Sequence, residues 1–514
     1  MSPNRRIVLN VIATYGRSLY ALFVGLFVTR WVLQALGRTD YGLMGVVGGL
    51  SGFVAFLNGL MATAVGRFYA VNLGHAQKTC NKEDELVICR YWFNTAVSIH
   101  SVLPLLLIIV GYPCGIWAVE HFLVIPENRI ADCIWVWRWT CVSCFLGMVS
   151  VPFQAMYTAK QEIAELTIYS FFSTTLNAAF VYYMISVPDK WLVKYAFWTC
   201  LLSVTTHCII AFRAIQKYPE CRICFGYMWD VARIKEICKF AYARLIANLS
   251  QTLSTQAKTI LVNKFMGPDY NASMSIGTSL SSHAMTLASS LSGAMWPAIA
   301  NKAGKGEADS VKELSFIASR IGAVLILIFA LPLMLEINEV LHLWLGAPPP
   351  FTAELCCAII ISTLFLKMTD GYWMAILGMG KGIVYYSHRA CIAGFLLIGV
   401  SWLLFAVGCG MWSVIIGILS FGIFLLFVRL YSGEKLIGFL PSYWFRSVFL
   451  PILCSSGVTL AIGCLPSLLL KASFVRIIIT TFSCEVIFLP MIWFFMLTES
   501  EKNYLKKKLM VFYK

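Results

Sequence analysis

Residues 40–72 read DYGLMGVVGGLSGFVAFLNGLMATAVGRFYAVN, and residues 269–301 read DYNASMSIGTSLSSHAMTLASSLSGAMWPAIAN. Asp40, Tyr41, Gly48, Ala55 and Asn72 recur without a gap, 229 positions on, as Asp269, Tyr270, Gly277, Ala284 and Asn301. The settings match too: an apolar span studded with polar residues, a short Asp-Tyr loop, a Gly/Ser-rich apolar span, then a basic loop. A membrane chain built from two such halves is the sequence signature of a secondary transporter, whose site lies between the repeats near the bilayer midplane.

Composition agrees with a membrane chain. With 59% hydrophobic and 13% charged residues and a mean hydropathy of +0.77, too few polar groups remain to cover a water-facing surface. The apolar runs are about 20 residues long, the length of a spanning helix and not of a barrel strand. Runs near 10–35, 42–71, 91–118, 132–156, 163–186, 191–212, 238–263, 272–300, 314–338, 353–377, 386–408, 411–431, 446–468 and 474–497 predict about fourteen transmembrane helices. The expected architecture is all-α: two pseudo-symmetric six-helix lobes, 1–217 and 218–432, followed by 433–514 with two more spans and a basic tail. The first, second, seventh and eighth spans are the weakest by hydropathy, because Arg, Asn, Gln, Ser and Gly interrupt them. Such faces are tolerated where they line protein or a water-filled cavity.

Lys and Arg fix the expected orientation. Arg5 and Arg6 precede the first span, and loops on that side carry Lys78, Lys82, Arg90, Lys160, Arg213, Lys217, Arg222, Arg233, Lys235, Lys302, Lys305, Lys381, Arg389, Arg429 and Lys435. The opposite side has only Arg38, Arg129, Lys190, Lys194, Lys264, Lys471 and Arg476, the last read as peripheral. The positive-inside rule then puts both termini in the cytoplasm. No small-residue cleavage site follows Arg5–Arg6, so the first span is expected to stay in the protein.

The net charge of +15 is spread over loops beside spans, where it meets anionic lipid headgroups and not nucleic acid. The C-x-x-C pairs Cys141/Cys144 and Cys221/Cys224 have no matching pair or histidine at finger spacing, so no metal site is expected. No phosphate loop, H-E-x-x-H or G-x-S-x-G occurs, and neither a cofactor nor enzymatic chemistry is expected. A membrane-embedded glycan polymerase would need catalytic groups on a long outer loop, and the outer loops here run to about 18 residues.

The informative charges lie inside spans: Arg17, Arg30, Arg67, Arg138, Arg244, Lys258, Arg320 and Lys367, against only Asp370 and Glu485. Each costs about 2.5–3.5 kcal/mol at mid-membrane, so a surplus of cations points to a cavity or a bound anion. In the seventh span Arg244, Asn248, Gln251, Thr255 and Lys258 follow at spacings of 4, 3, 4 and 3, which places all five on one helix face. Asn10, Thr14 and Arg17 form a shorter counterpart in the first span. Arg30 and Arg138 are placed to snorkel, and Arg67 either snorkels or lines the cleft. Lys367 and Asp370 are i,i+3, which suits a local ion pair as well as a functional site. The glycines of the second span and the serines of the eighth are read as close-packing positions.

The run Leu33 to Gly42, with Val46-Val-Gly-Gly49, Phe56-Leu-Asn58-Gly59 and Arg67-Phe, resembles the N-terminal signature of the polysaccharide-exporting branch of the multidrug/oligosaccharidyl-lipid/polysaccharide transporter superfamily. Trp296-Pro297 before Gly304-Lys-Gly306, Leu343-Trp-Leu-Gly346 and Gly378-Met-Gly-Lys381 resemble its second-half signatures, and the resemblance covers about residues 5–430. It implies a flippase of the O-antigen or capsule type in a bacterial inner membrane, moving an undecaprenyl-diphosphate-linked oligosaccharide from inner to outer leaflet by alternating access. It also implies that Arg17, Arg67, Arg244 and Lys258 meet the diphosphate, with membrane lipids around them and a glycan polymerase and glycosyltransferases as partners. Asn248, Gln251 and Lys367 complete the expected substrate-binding set, and Asp370 is the central acid for a coupling ion. The last two spans, in this reading, hold the polyprenyl tail. The alternative within the superfamily is an exporter of organic cations, which needs buried carboxylates that spans one, two, seven and eight lack.

Overall fold

The computed structural model describes residues 3–50, 65, 69, 82–160, 162–187, 189–380, 382–497 and 502. It is helical nearly throughout, with no strand among the described residues. Two compact units divide the chain, Met1–Ser275 and Ile276–Lys514.

The first unit contains α1 (Pro3–Leu50), α2 (Lys82–Trp117), α3 (Ile130–Val149), α4 (Val151–Ala159), α5 (Ile163–Ser186), α6 (Trp191–Lys217) and α7 (Val231–Met266). α8 (Pro268–Gly304) begins in this unit and runs into the second. The second unit continues with α9 (Ala308–Leu335), α10 (Ile337–Leu345), α11 (Thr352–Met368), α12 (Asp370–Met379), α13 (Ile383–Ala406) and α14 (Trp412–Ile437). It closes with α15 (Pro441–Leu469) and α16 (Phe474–Met496). Eight of the described helices are long and apolar enough to cross a membrane, and two bent pairs, α3 with α4 and α11 with α12, each have the make-up of one broken span. The helices α5, α7 and α8 are long but interrupted by polar residues, in keeping with the low hydropathy read for the seventh and eighth spans. The predicted second span lies outside the described residues beyond Leu50, apart from Val65 and Tyr69.

The repeat seen in the sequence has a backbone counterpart. Gly37 breaks α1 at φ 76°, ψ 174°, and Gly267 separates α7 from α8 at φ 89°, ψ −179°. Only glycine occupies this region without strain. Each glycine is followed by the Asp-Tyr pair, and the two pairs sit at one end of the first unit. Thr39 Oγ1 donates to Asp269 Oδ1 at 2.7 Å, and Arg129 pairs with the buried Asp40 at 2.9 Å. Asn263 both accepts from the N–H and donates to the C=O of Val124, so the α2–α3 connection is stitched to α7 like a strand edge. A Cβ on Gly42 would lie 1.8 Å from the Pro268 carbonyl oxygen, and one on Gly45 2.3 Å from Ser275 Oγ. Backbone-to-backbone approach of this kind is what small residues permit in lipid.

At the far end of α2, Asn94 Nδ2 donates to the carbonyls of Arg90 and Arg222 while its Oδ1 accepts from Cys224 N–H. Ser98 donates to Met228 O, and Arg233 lies over the Tyr91 ring at 4.5 Å. The connection between α6 and α7 is thereby fixed along α2. Asp230 caps α7 by accepting from Arg233 N–H at 3.0 Å, a bond that holds its carboxyl below the usual range. Aliphatic and aromatic side chains fill the interior of each unit: Phe93, Met156, Tyr157 and Tyr218 in the first, Phe316, Tyr372, Leu430, Phe439 and Trp444 in the second. Large apolar residues such as Leu468, Phe482 and Phe494 remain exposed on α15 and α16, as lipid-facing helices require.

Arg476 is not peripheral. It pairs at 2.7 Å with Glu336, whose side chain is 1% exposed, and Thr480 donates to the same carboxylate at 2.8 Å. This network ties α16 to the junction of α9 and α10, so removing Arg476 leaves a buried carboxylate without its cation. Arg429 is likewise misplaced by the hydropathy reading, which put it in a loop. α14 continues to Ile437, and Arg429 is buried inside the second unit.

Candidate functional site

The sequence-predicted residues fall into three groups. Arg67 lies outside the described residues, and the side chains of Arg244, Asn248 and Gln251 do too, although their backbone belongs to α7. Thr255 and Lys258 are half-buried on α7. Gln256 and Thr259, one residue further round, approach the Cβ position of Gly49 in α1. At about 100° per residue Thr255 and Lys258 are therefore turned away from the face that packs on α1.

Arg17 is exposed on α1. It stands one turn before Ala21 and two before Val24, which line an open cavity of about 470 Å³ at the surface of the first unit. The other walls come from α5, with Ser173, Thr174 and Asn177, and from α6, with Thr199, Ser203, Thr206 and His207. These polar groups recur at helical spacing within apolar spans, a signal the sequence carried and the search for charges passed over. His207 Nδ1 contacts the Ser203 carbonyl at 2.7 Å. A carbonyl only accepts, so Nδ1 holds the proton and neutral His207 is left with Nε2 as an acceptor. Ser143 donates to Ser203 Oγ at 3.0 Å and fixes that wall. The cavity offers hydroxyls, an amide and an imidazole, and no carboxylate lines it among the described residues.

In the second unit the structure brings Lys367 and Asp370 together and adds two partners. Lys367 Nζ donates to Asp370 Oδ2 at 2.8 Å and to Ser292 Oγ at 3.0 Å. Ser292 on α8 reaches the same Asp370 oxygen at 2.8 Å, and Arg429 Nη1 lies 3.7 Å from Asp370 Oδ1. The pair straddles a 43° break between α11 and α12. A helix broken inside the membrane must have its freed backbone groups bonded elsewhere. Here Arg429 donates to Leu366 O at 2.6 Å, Trp444 Nε1 to Met368 O at 2.7 Å, and Gly371 N–H to Ser319 Oγ at 3.0 Å. Gly371 allows this contact, since a Cβ there would lie 1.8 Å from Ser315 O. Arg429 is the residue the sequence reading missed: it serves the carboxylate and the broken helix at once. The two ends of a discontinuous helix are where transporters commonly place charged ligands. In this geometry both cations and the serine are already committed to Asp370.

Among the other intramembrane cations, Arg138 donates to Tyr112 Oη at 3.2 Å and stacks on Trp135 at 4.6 Å. Arg320 is buried on α9. Both are held within the protein.

Residues 244–384, from the polar stripe of α7 through the broken helix, match the MatE family. No curated protein matches the chain in sequence. Among solved structures the chain is similar to the lipid II flippase MurJ in an inward closed conformation, at 13% identity and a TM-score of 0.70 over 94% of this chain and 98% of that one. It is similar to an inward-facing multidrug resistance transporter of the MATE family of the MOP superfamily, at 14% identity and 0.64 over 83% and 97%. A MOP superfamily transporter from Pyrococcus furiosus, described as having a binding pocket of reversed polarity, matches at 15% identity and 0.53 over 83% and 93%.

Proposed function

We infer that this chain, a membrane transporter of the MOP superfamily by its MatE segment and its fold, is a flippase for a polyprenyl-diphosphate-linked oligosaccharide. The observation that carries this reading is the cavity of the first unit, lined by neutral hydrogen-bonding groups and no described carboxylate. An organic cation needs an acid to replace its water, whereas sugar hydroxyls need donors and acceptors of the kind found here. Of the two acids well inside apolar spans, Asp370 is already neutralised by Lys367 and Arg429, and Glu485 lies in a separate groove beside α16. Support also comes from the fold: the likeness to the lipid II flippase extends over 94% of the chain, that to the MATE transporter over 83%.

In this proposal the lobes are 1–217 and 218–432, with 433–514 added, and both termini are cytoplasmic in a bacterial inner membrane. Alternating access in this proposal requires the contact around Gly42, Thr39 and Asp269 to part. Arg17, Arg67, Arg244 and Lys258 meet the diphosphate, with Asn248 and Gln251 as further contacts; Lys367 joins them only if it leaves Asp370. Guanidiniums give bidentate bonds that an ammonium imitates only as a point charge.

Arg17→Ala and Arg244→Ala are expected to reach the membrane at wild-type level yet fail to restore surface glycan to a deletion strain, with the Lys versions partly active. Full complementation by both alanine variants removes the diphosphate clamp, and poor accumulation of both returns the residues to a structural role.

A further inference from the structure

Glu485 stands midway along α16 and lines a groove of about 490 Å³ with Phe329, Pro332 and Leu333 of α9, Val340 of α10, and Thr481 and Leu489 of its own helix. Apart from Thr481 and Glu485 itself, every lining residue is apolar. The described ion pairs of the second unit join Lys302 to Glu307, Lys367 and Arg429 to Asp370, and Arg476 to Glu336 and Glu339. None reaches Glu485. The charged groups on the neighbouring elements are committed or distant. On α9, Arg320 lies more than two turns before Phe329 and donates to Ser447 O. Beside α10, Glu336 and Glu339 are held by Arg476, which sits nine residues, about 13 Å of helix, from Glu485. His342 on α10 contacts Gly346 O, and Arg446 on α15 is exposed. The remaining titratable neighbours are the thiols Cys484 and Cys464.

A carboxylate at this depth without a cation is costly, and the cost is relieved when the group takes a proton. One residue on the groove wall has a backbone carbonyl without its usual helical donor. Pro332 has no N–H to give the carbonyl four residues before it, that of Ile328, which lines the same groove. Asp370 differs in that two cations and a serine stabilise its charged form. We propose that Glu485 is a proton-binding site of the C-terminal helix pair, neutral when the groove is dry and exchanging its proton with water that enters the groove. The site is independent of what the chain transports.

The test uses the purified full-length protein, treated with dicyclohexylcarbodiimide or with a water-soluble carbodiimide, and mass spectrometry of the Glu485 peptide. The reagent takes up the acid's proton and the carboxylate oxygen adds to its central carbon to give an O-acylisourea, whose acyl group then migrates from oxygen to the neighbouring nitrogen to give a stable N-acylurea with no group lost. Glu354, exposed at the start of α11, is the internal control. Glu485 is expected to react with the hydrophobic reagent in preference to the soluble one, and to go on reacting at pH values where the exposed Glu354 no longer does. Glu485→Gln loses the adduct and Glu485→Asp keeps it. Reaction with the soluble reagent as readily as Glu354, fading in the ordinary carboxylate range, overturns the proposal, and so does failure to react with either reagent. The wild-type protein decides the question even if a variant accumulates poorly.

Discussion

Asp370→Ala is expected to lower stability by about 3–5 kcal/mol, the cost of leaving partners of a buried ion pair uncompensated. Lys367 and Arg429 are both buried, with side chains 9% and 10% exposed, and Asp370 is the acid that both face. Removing it strands two cations and the Ser292 hydroxyl at the break between α11 and α12. Asp370→Asn keeps the shape and one acceptor and should lose less. The double variant Lys367→Met, Asp370→Ala removes one stranded cation and should recover part of the loss. Thermal unfolding of the detergent-solubilised protein reads the series. If Asp370→Ala matches wild type, the ion cluster does not hold this bend, and a role for Asp370 confined to transport becomes the better reading.

Gly42→Ala should be the most damaging single-methyl change in the first unit. The new Cβ would sit 1.8 Å from Pro268 O and 2.7 Å from Pro268 C, backbone atoms that move only if the helices separate. Overpacking of this kind costs about 1–3 kcal/mol or more. Gly48→Ala provides the contrast, because nothing lies within 4 Å of its Cβ position. There alanine regains up to about 1 kcal/mol of helix propensity and should be neutral or mildly stabilising. Unfolding temperatures of the two variants decide the matter: equal behaviour would mean that the close approach of α1 and α8 is not tight in the membrane.

The two positions also show what the sequence could tell. Gly48 belongs to the repeat match and Gly42 does not, yet Gly42 makes the contact; identity between halves marks the shared plan and not the tight points within it. The sequence reading ran 353–377 as one span and passed over Thr369-Asp370-Gly371, a turn signal inside an apolar run. The partners of the break were not legible, because Arg429, Trp444 and Ser319 come from distant helices and nothing local announces a tertiary hydrogen bond. Arg429 was set in a loop since a charge near a span's end lowers window hydropathy whether it faces water or a buried carbonyl. Arg476 failed for the related reason that positive-inside counting treats each outer cation as solvated. The neutral cavity beside Arg17 was readable as polar stripes on α5 and α6, but a search led by charge passes over serine, threonine and asparagine. What composition and span length did convey was the all-helical membrane architecture, because backbone satisfaction in lipid leaves few alternatives.

The central claim is that the cargo is an anionic lipid-linked glycan and not an organic cation. The most direct measurement follows lipid-linked repeat units and surface glycan in cells deprived of this protein, together with their sensitivity to cationic dyes. The account predicts lipid-linked units accumulating on the inner leaflet, loss of the surface glycan and unchanged dye tolerance; hypersensitivity to the dyes with the surface glycan intact would contradict it.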